Sequence, residues 1–151
     1  MSKVYVFLAD GFEEIEGLTV VDLLRRAGIE TITVSVMGRE KIIGSHRIPV
    51  TADTLIGKVH PTKEDMLVLP GGMPGTLHLG DCEGLKGFLM KAAEENGRIA
   101  AICAAPTVLG KLGLLNGRKA ICYPGMEDGL TGAEVTVEPV VTDGNITTSR
   151  G

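Results

Sequence analysis

Runs rich in apolar residues, separated by an amphipathic stretch, dominate the first half of the chain. Val4–Ala9, Thr31–Met37 and Met66–Pro70 have the pattern of strands that are covered on both faces of a sheet. Glu14–Ala27 has leucines and valines at helical spacing, and Gly28 follows it where the left-handed C-cap of a helix belongs. The pattern therefore predicts alternating strands and helices.

The second half continues this alternation. The predicted elements are a helix at about Cys82–Asn96 ended by Gly97, a strand Arg98–Cys103, a helix Ala104–Leu109, a strand Lys119–Tyr123, and β-like runs Glu134–Val141 and Asn145–Ser149 flanking the turn Asp143-Gly144. A hairpin is expected within residues 38–57. No repeat or linker interrupts the chain, so the pattern predicts one α/β domain over residues 1–151, with a mostly parallel sheet between layers of helices.

Composition narrows the class of protein. The 151 residues are 44% hydrophobic, enough for one domain with a sizeable core, and the net charge of −4 favours neither nucleic acid nor an anionic membrane as a partner. No secretory leader or membrane-spanning run is expected. The three cysteines fit neither a disulfide framework nor a metal site, which predicts a protein of the reducing cytoplasm with no bound metal.

Cys103 is the strongest candidate for chemistry. It lies where a predicted strand turns sharply into a predicted helix, so backbone N–H groups and the positive end of the helix dipole should face its sulfur. Both favour the reactive thiolate, and we expect the pKa of this thiol to be well below that of a free cysteine. The alternative, which local sequence leaves open, is a small cysteine that fills a gap at a strand end.

Two further segments fall at the ends of predicted strands. The acidic run Asp10–Glu16 follows the first strand and Pro70–Gly72 follows the third, and ligands of open α/β sheets bind beyond such ends. A buried carboxyl there should have a raised pKa and donate a hydrogen bond to sulfur, while the N–H groups of Gly72 and Ala104 could form an oxyanion hole. Helix-start acids and plain turn glycines are the alternatives.

Five segments together resemble one known family. They are Asp10–Glu16, Leu23–Gly28, Val68–Gly72, Ala100–Pro106 and Thr148–Gly151, and they resemble, in order along the whole chain, the ThiJ/PfpI superfamily in its DJ-one-like branch, that of the parkinsonism-associated protein deglycase. The resemblance implies a flavodoxin-like three-layer sandwich, similar to class I glutamine amidotransferases. It also implies a homodimer that needs no cofactor.

The resemblance assigns roles to individual residues. Cys103 matches the family's oxidation-sensitive nucleophile, and Glu16 matches the protonated glutamate that contacts it. Gly72 and Ala104 match the positions whose backbone N–H groups point into the pocket. Because the peptidase branch has a histidine directly after the cysteine, where this chain has Ala104, the resemblance excludes an intracellular peptidase.

Three supporting positions complete the expected pocket. Glu13 and Arg47 match a nearby polar pair, and Tyr123 stands where some relatives have an active-site histidine before a proline. No Cys–His dyad can form at that position, so acid–base chemistry falls to Glu16 or water. The three histidines, His46, His60 and His78, are expected at the surface.

The resemblance implies a stress-defence function. The enzyme hypothesis is cofactor-free glyoxalase or deglycase action of Cys103 on small reactive carbonyls. The alternative is a redox sensor or chaperone in which an oxidant modifies Cys103 without turnover. Family members continue past the segment that matches Thr148–Gly151 with a long helix, so we expect this chain to be truncated at its C-terminal end.

Overall fold

A computed structural model of the chain describes residues 2–151. The helices are α1 (Glu14–Arg26), α2 (Gly75–Asp81), α3 (Glu83–Glu94) and α4 (Pro106–Lys111), with short 3-10 turns at Ile56–Lys58 and Glu127–Gly129. The strands are β1 (Val4–Leu8), β2 (Thr31–Ser35), β3 (Lys41–Ile43), β4 (Pro49–Thr51), β5 (Thr54–Leu55), β6 (Met66–Leu69), β7 (Arg98–Ile102), β8 (Lys119–Ala120), β9 (Glu134–Val135), β10 (Val140–Asp143) and β11 (Ile146–Ser149).

Seven strands form the central sheet in the order β10-β11-β7-β6-β1-β2-β5. All neighbours are parallel except the hairpin β10–β11 at one edge, where Asp143 pairs with Ile146. The mostly parallel sheet predicted from the alternating pattern is therefore confirmed. Two small two-stranded sheets, β3–β4 and β8–β9, lie outside it.

Helices cover both faces of the sheet. On one face α1 packs through Val21 against the inward side chains Val4, Val6 and Leu8 of β1. On the other face α2, α3 and α4 bury side chains against Leu67 and neighbouring sheet residues in the larger core. This three-layer arrangement is the flavodoxin-like sandwich expected from the sequence.

Several predicted boundaries hold and three segments differ. The run predicted at Glu134–Val141 is divided into β9 and β10, which belong to different sheets. Helix α1 begins after its N-cap Glu13 and ends before Gly28, which is left-handed with φ 77°. The strand predicted at Lys119–Tyr123 is wrong beyond β8, since only two residues pair and they do so outside the main sheet. Helix α2 was not predicted, because its glycine-bounded sequence has little helical periodicity. Within residues 2–151, none of the helices is long and apolar enough to cross a membrane.

Strand order determines where a ligand can bind. The chain runs outward from β1 through β2 on one side, and from β6 through β7 on the other. The order therefore reverses between β1 and β6, which opens a crevice beyond their carboxyl ends. The segments that follow β1, β6 and β7 meet there.

Candidate functional site

Cys103 forms a strained elbow between β7 and α4. Its φ is 64°, a left-handed conformation that non-glycine residues rarely adopt. The backbone on both sides holds this geometry, because the N–H of Cys103 donates to the Ser149 carbonyl at 2.9 Å and its carbonyl accepts from the N–H of Tyr123 at 2.7 Å. The strain therefore orients the half-buried thiol toward the crevice.

Glu16 meets this thiol from the first turn of α1. Its carboxyl lies beside the sulfur, since a Cβ on Gly151 would be 3.2 Å from the Glu16 Oε2 and 3.5 Å from the Cys103 Sγ. Its Oε1 accepts the N–H of Gly71 at 3.1 Å. Glu13 positions the turn, since its Oε2 accepts the N–H of Glu16 at 3.1 Å and its own N–H donates to the Gly71 carbonyl. The acidic segment after β1 and the glycine turn after β6 are thus joined directly.

The two glycines after β6 are needed for this close approach. A Cβ on Gly71 would lie 2.6 Å from the Cys103 Cβ and 2.7 Å from the Glu16 Oε1. Gly72 has φ 93° and would clash with the backbone of Glu13. Only the absence of side chains lets the strand end pass between thiol and carboxyl.

Cys103 and Glu16 both bind protons more tightly than free side chains do. Burial raises the pKa of the Cys103 thiol to about 11, with help from the negative charge of Glu16 and from its hydrogen bond to the thiol. Burial also raises the pKa of Glu16, and the charge of Glu13 adds to the rise. The raised Glu16 pKa agrees with the sequence-based expectation, but the expected direction of the hydrogen bond is wrong. The bond lowers the pKa of Glu16 and raises that of Cys103, so the thiol donates it and the carboxylate accepts it.

The sequence-based expectation of a low pKa for the Cys103 thiol is wrong, because the folded environment raises this pKa. Hydrogen bonds from the backbone N–H groups of Ala104 and Gly72 lower the pKa of the thiol and so favour the thiolate. Burial and the adjacent carboxylate outweigh them, and α4 is only six residues long, beginning three positions after the cysteine. The thiol is therefore protonated at neutral pH, and Glu16 is the group placed to accept its proton.

Tyr123 reaches the crevice through its backbone, whereas the backbone of Arg47 bonds within its own loop, to Gly44. Arg47 is left-handed, with φ 63°, and within residues 2–151 no ion pair joins it to Glu13. The side chain beside Glu13 is instead that of the neighbouring His46, whose Nδ1 is 3.7 Å from the Glu13 Oε1. Tyr123 contacts the elbow through its N–H, and the residue is 52% exposed.

The sequence analysis did not predict the hydrogen bonds between Glu14 and His46. Glu14 is buried and accepts the N–H of His46 at 2.9 Å, the imidazole Nδ1 at 2.9 Å and the Ser45 hydroxyl at 3.2 Å. Burial would raise the pKa of Glu14, but the hydrogen bonds from the His46 imidazole and from the backbone N–H groups of His46 and Ile48 lower it to about 2. The one sequence feature that could have indicated this contact is that His46 directly precedes Arg47, which the sequence analysis had already placed in the pocket.

The geometry can be compared with known proteins. Residues 2–151 match the DJ-1/PfpI family. The chain belongs to the DJ-1/PfpI family. This membership confirms the resemblance that the sequence motifs indicated, and the family's α/β fold agrees with the mostly parallel sheet and flanking helices described above.

Named relatives support the DJ-1-like branch. Protein dj-1beta of Drosophila melanogaster is 42% identical over 155 residues, covering 100% of this chain and 82% of that protein. Protein DJ-1 homolog B of Arabidopsis thaliana is 39% identical over 152 residues, covering 99% of this chain, which spans about a third (34%) of that protein. The solved structure "Toxoplasma gondii DJ-1, oxidized" superposes with a TM-score of 0.93 at 38% identity, covering 99% of this chain and 82% of that one.

Proposed function

We propose that this DJ-1-like protein acts in stress defence by using Cys103 as a nucleophile toward small reactive carbonyls, in a glyoxalase- or deglycase-like reaction. The observation that carries the proposal is the position of the Glu16 carboxyl beside the Cys103 thiol: a Cβ on Gly71 would lie 2.6 Å from the Cys103 Cβ and 2.7 Å from the Glu16 Oε1. The backbone N–H groups of Gly72 and Ala104 favour the thiolate of the same sulfur. A base, a nucleophile and an oxyanion site within one crevice are the parts that carbonyl addition needs.

Addition to an α-oxoaldehyde such as methylglyoxal is the first step. The Cys103 sulfur bonds to the aldehyde carbon while the carbonyl π bond breaks, and Glu16 accepts the thiol proton. The N–H groups of Gly72 and Ala104 stabilise the oxyanion that forms. Protonation of that oxygen completes a hemithioacetal.

Proton transfer and hydrolysis complete the turnover. Glu16 removes the proton from the former aldehyde carbon and returns it to the adjacent carbon, while the hydroxyl proton on the former aldehyde oxygen passes to the ketone oxygen. The hemithioacetal thereby becomes a thioester of lactate. Water then cleaves the carbon–sulfur bond and releases lactate and the free thiol. The sum is one methylglyoxal plus one water to one lactate, and no external oxidant or cofactor enters.

We expect this turnover to be slow. A general acid or base contributes roughly 10²–10⁴-fold to a rate, and Tyr123 occupies the position of the histidine that some relatives use. Glu16 must therefore serve both proton transfers alone. Replacement of Tyr123 by phenylalanine should cost little of the activity.

Lactate production measured at steady state tests the enzyme hypothesis. The chain should form many equivalents of lactate from methylglyoxal, Cys103→Ser should form none, and Cys82→Ser should match the wild type as a control. Lactate formation that persists in Cys103→Ser would refute the proposal.

A redox sensor or chaperone is the second candidate. It is favoured by the half-buried Cys103 thiol and by the name of the Toxoplasma gondii relative, which is described as oxidized. Peroxide would convert this thiol to sulfenic acid and then to sulfinic acid. Stoichiometric oxidation of Cys103, seen by mass spectrometry in a chain that makes no lactate, would favour the sensor over the enzyme.

We also propose a homodimer located in the cytoplasm. Ile15, which follows the first residue of α1, is 73% exposed, and Ile48 on the adjacent loop is 49% exposed. Large apolar side chains in such positions are typical of surfaces that bind a partner. Sedimentation equilibrium tests the dimer, and replacement of Ile15 by glutamate should shift it toward monomer.

A further inference from the structure

We propose that Glu13, Glu14 and His46 form a binding site for one divalent transition-metal ion of the zinc type, at the rim of the Cys103 crevice. Their ligand atoms all lie within 4.8 Å of one another. Two of the residues come from the start of α1 and the third from the loop after β3, so the fold brings together segments about thirty positions apart. This site does not depend on whether Cys103 turns over a carbonyl.

The separations suit a metal ion. The His46 Nδ1 lies 2.9 Å from the Glu14 Oε1 and 3.7 Å from the Glu13 Oε1. With metal–ligand bonds of about 2.1 Å, these separations subtend angles of about 90° and about 120° at the ion. Both angles occur in five-coordinate sites. An ion could therefore bind all three atoms with little movement of the side chains.

The second oxygen of each carboxylate is already anchored. The Glu13 Oε2 accepts the N–H of Glu16 at 3.1 Å, while the Glu14 Oε2 accepts the N–H of His46 at 2.9 Å. Each Oε1 is thereby turned toward the imidazole, and the Glu14 Oε1 also accepts the Ser45 hydroxyl and the His46 N–H, both at 3.2 Å. Such outer hydrogen bonds orient metal ligands and raise their affinity.

Charge also favours a cation at this position. Glu14 is placed as a hydrogen-bond acceptor only, because the N–H groups of His46 and Ile48 and the Ser45 hydroxyl all donate to its carboxylate. Glu13 and Glu16 add two more carboxyl groups within the same turn of α1, and Arg47 forms no ion pair with any carboxylate of residues 2–151. The side chain facing both Glu13 and Glu14 is His46, which is neutral when it binds a metal through nitrogen.

The ligand set selects the type of metal. One imidazole and two carboxylates suit zinc and its neighbours in the first transition row, whereas calcium and magnesium prefer oxygen ligands alone. The His46 side chain is 68% exposed, so its side of the site is open to solvent. The remaining coordination positions are thus available to water or to a small anionic ligand.

Calorimetric titration with zinc chloride tests the site, using the full chain and four variants. We expect one equivalent to bind, with the affinity reduced at least about tenfold by His46→Ala and by Glu13→Gln. His60→Ala is the matched control, because His60 is an exposed histidine away from the site, and it should bind as the wild type does. Cys103→Ser should also retain binding, since no thiol is a ligand.

Cobalt supplies a readout that distinguishes the ligands. Co²⁺ bound by nitrogen and oxygen should give visible d–d bands without the strong near-ultraviolet absorption of a thiolate complex, and the bands should disappear in His46→Ala. Three results would overturn the proposal: no binding up to about 1 mM zinc, unchanged affinity in His46→Ala, or loss of binding in Cys103→Ser. The first would mean that protonated His46 itself neutralises the carboxylates, and the last that the metal binds the thiol.

Discussion

A single left-handed residue sets the chemistry of this site. Cys103 holds a φ of 64°, at a cost on the order of 1–3 kcal/mol, and hydrogen bonds to Ser149 and Tyr123 maintain it. The geometry places sulfur against the Glu16 carboxyl rather than in open solvent. Reactivity at this residue is therefore controlled by a proton shared between two side chains.

The pH dependence of alkylation follows from that shared proton. Because the pKa of Cys103 is raised to about 11, its thiol stays protonated below that pH, and its reaction with iodoacetamide should accelerate as pH rises toward that value. The measurement uses a chain with Cys82 and Cys122 replaced by serine. An inflection below the roughly 8.5 of a free cysteine would contradict the environment described here.

Replacement of Glu16 by glutamine should separate its two effects. The change removes the negative charge that raises the Cys103 pKa, so the alkylation inflection should move to lower pH. It also removes the base, so lactate formation from methylglyoxal should fall by roughly 10²–10⁴-fold. Turnover that increases together with alkylation would show that Glu16 is not the base.

At the scale of elements, three strand ends and one helix start converge on the site. The turn after β6 passes between α1 and the elbow after β7, and Gly71 is the point of closest approach. No positive φ is required at Gly71, so space alone excludes a side chain there. That makes the position suitable for a clean test of packing.

Replacement of Gly71 by alanine should disrupt this junction. The added Cβ would overlap both Cys103 and Glu16, and overpacking of this kind costs about 1–3 kcal/mol of unfolding free energy. Carbonyl turnover should fall as well, because the thiol and the carboxyl are forced apart. Urea unfolding and the lactate assay measure the two effects.

Gly87 provides the matched control within α3. A Cβ there meets nothing within 4 Å, and alanine in place of glycine inside a helix stabilises by about 0.5–1 kcal/mol. Gly87→Ala should therefore raise the unfolding free energy and leave turnover unchanged. If Gly71→Ala and Gly87→Ala changed the unfolding free energy and the turnover equally, the close contacts of Gly71 would contribute to neither.

The sequence predicted elements well where the pattern was regular. Helix α1 could be bounded because its periodicity lies between acidic residues and a C-terminal Gly28, whereas α2 and the short β8 have no such signals. Cys103 and Glu16 could be singled out from their positions at element ends. The side-chain contact between His46 and Glu14 could not, since it joins residues 32 positions apart across a loop whose path no periodicity encodes. The raised thiol pKa was missed for a similar reason, because burial is a property of the folded chain.

For the whole molecule, Glu14 links the loop after β3 to the body of the fold. It lies on α1 yet accepts hydrogen bonds from the backbone N–H groups of His46 and Ile48. Since its pKa falls from an ordinary 4.5 to about 2 on folding, it contributes stability that is present above pH 4.5. That contribution disappears as the pH falls toward 2.

Acid unfolding of a Glu14→Gln variant tests this contribution. The loss of unfolding free energy relative to wild type should be largest at neutral pH and should shrink between about pH 4.5 and about pH 2. Glu94→Gln, on the exposed side of α3, is the control and should show no such trend. Urea titrations in the presence of a chelator give both differences, and a pH-independent loss for Glu14→Gln would contradict the pKa assigned to it.

Nuclear magnetic resonance with ¹³C-labelled methylglyoxal tests the nucleophilic role of Cys103 most directly. The aldehyde carbon, once bonded to sulfur, gives a hemithioacetal signal distinct from that of the hydrated aldehyde. We predict that this signal appears with the wild-type chain and with Cys82→Ser, is absent with Cys103→Ser, and is followed by labelled lactate. Labelled lactate formed with no sulfur-bound carbon, or a hemithioacetal that survives the loss of Cys103, would contradict the account.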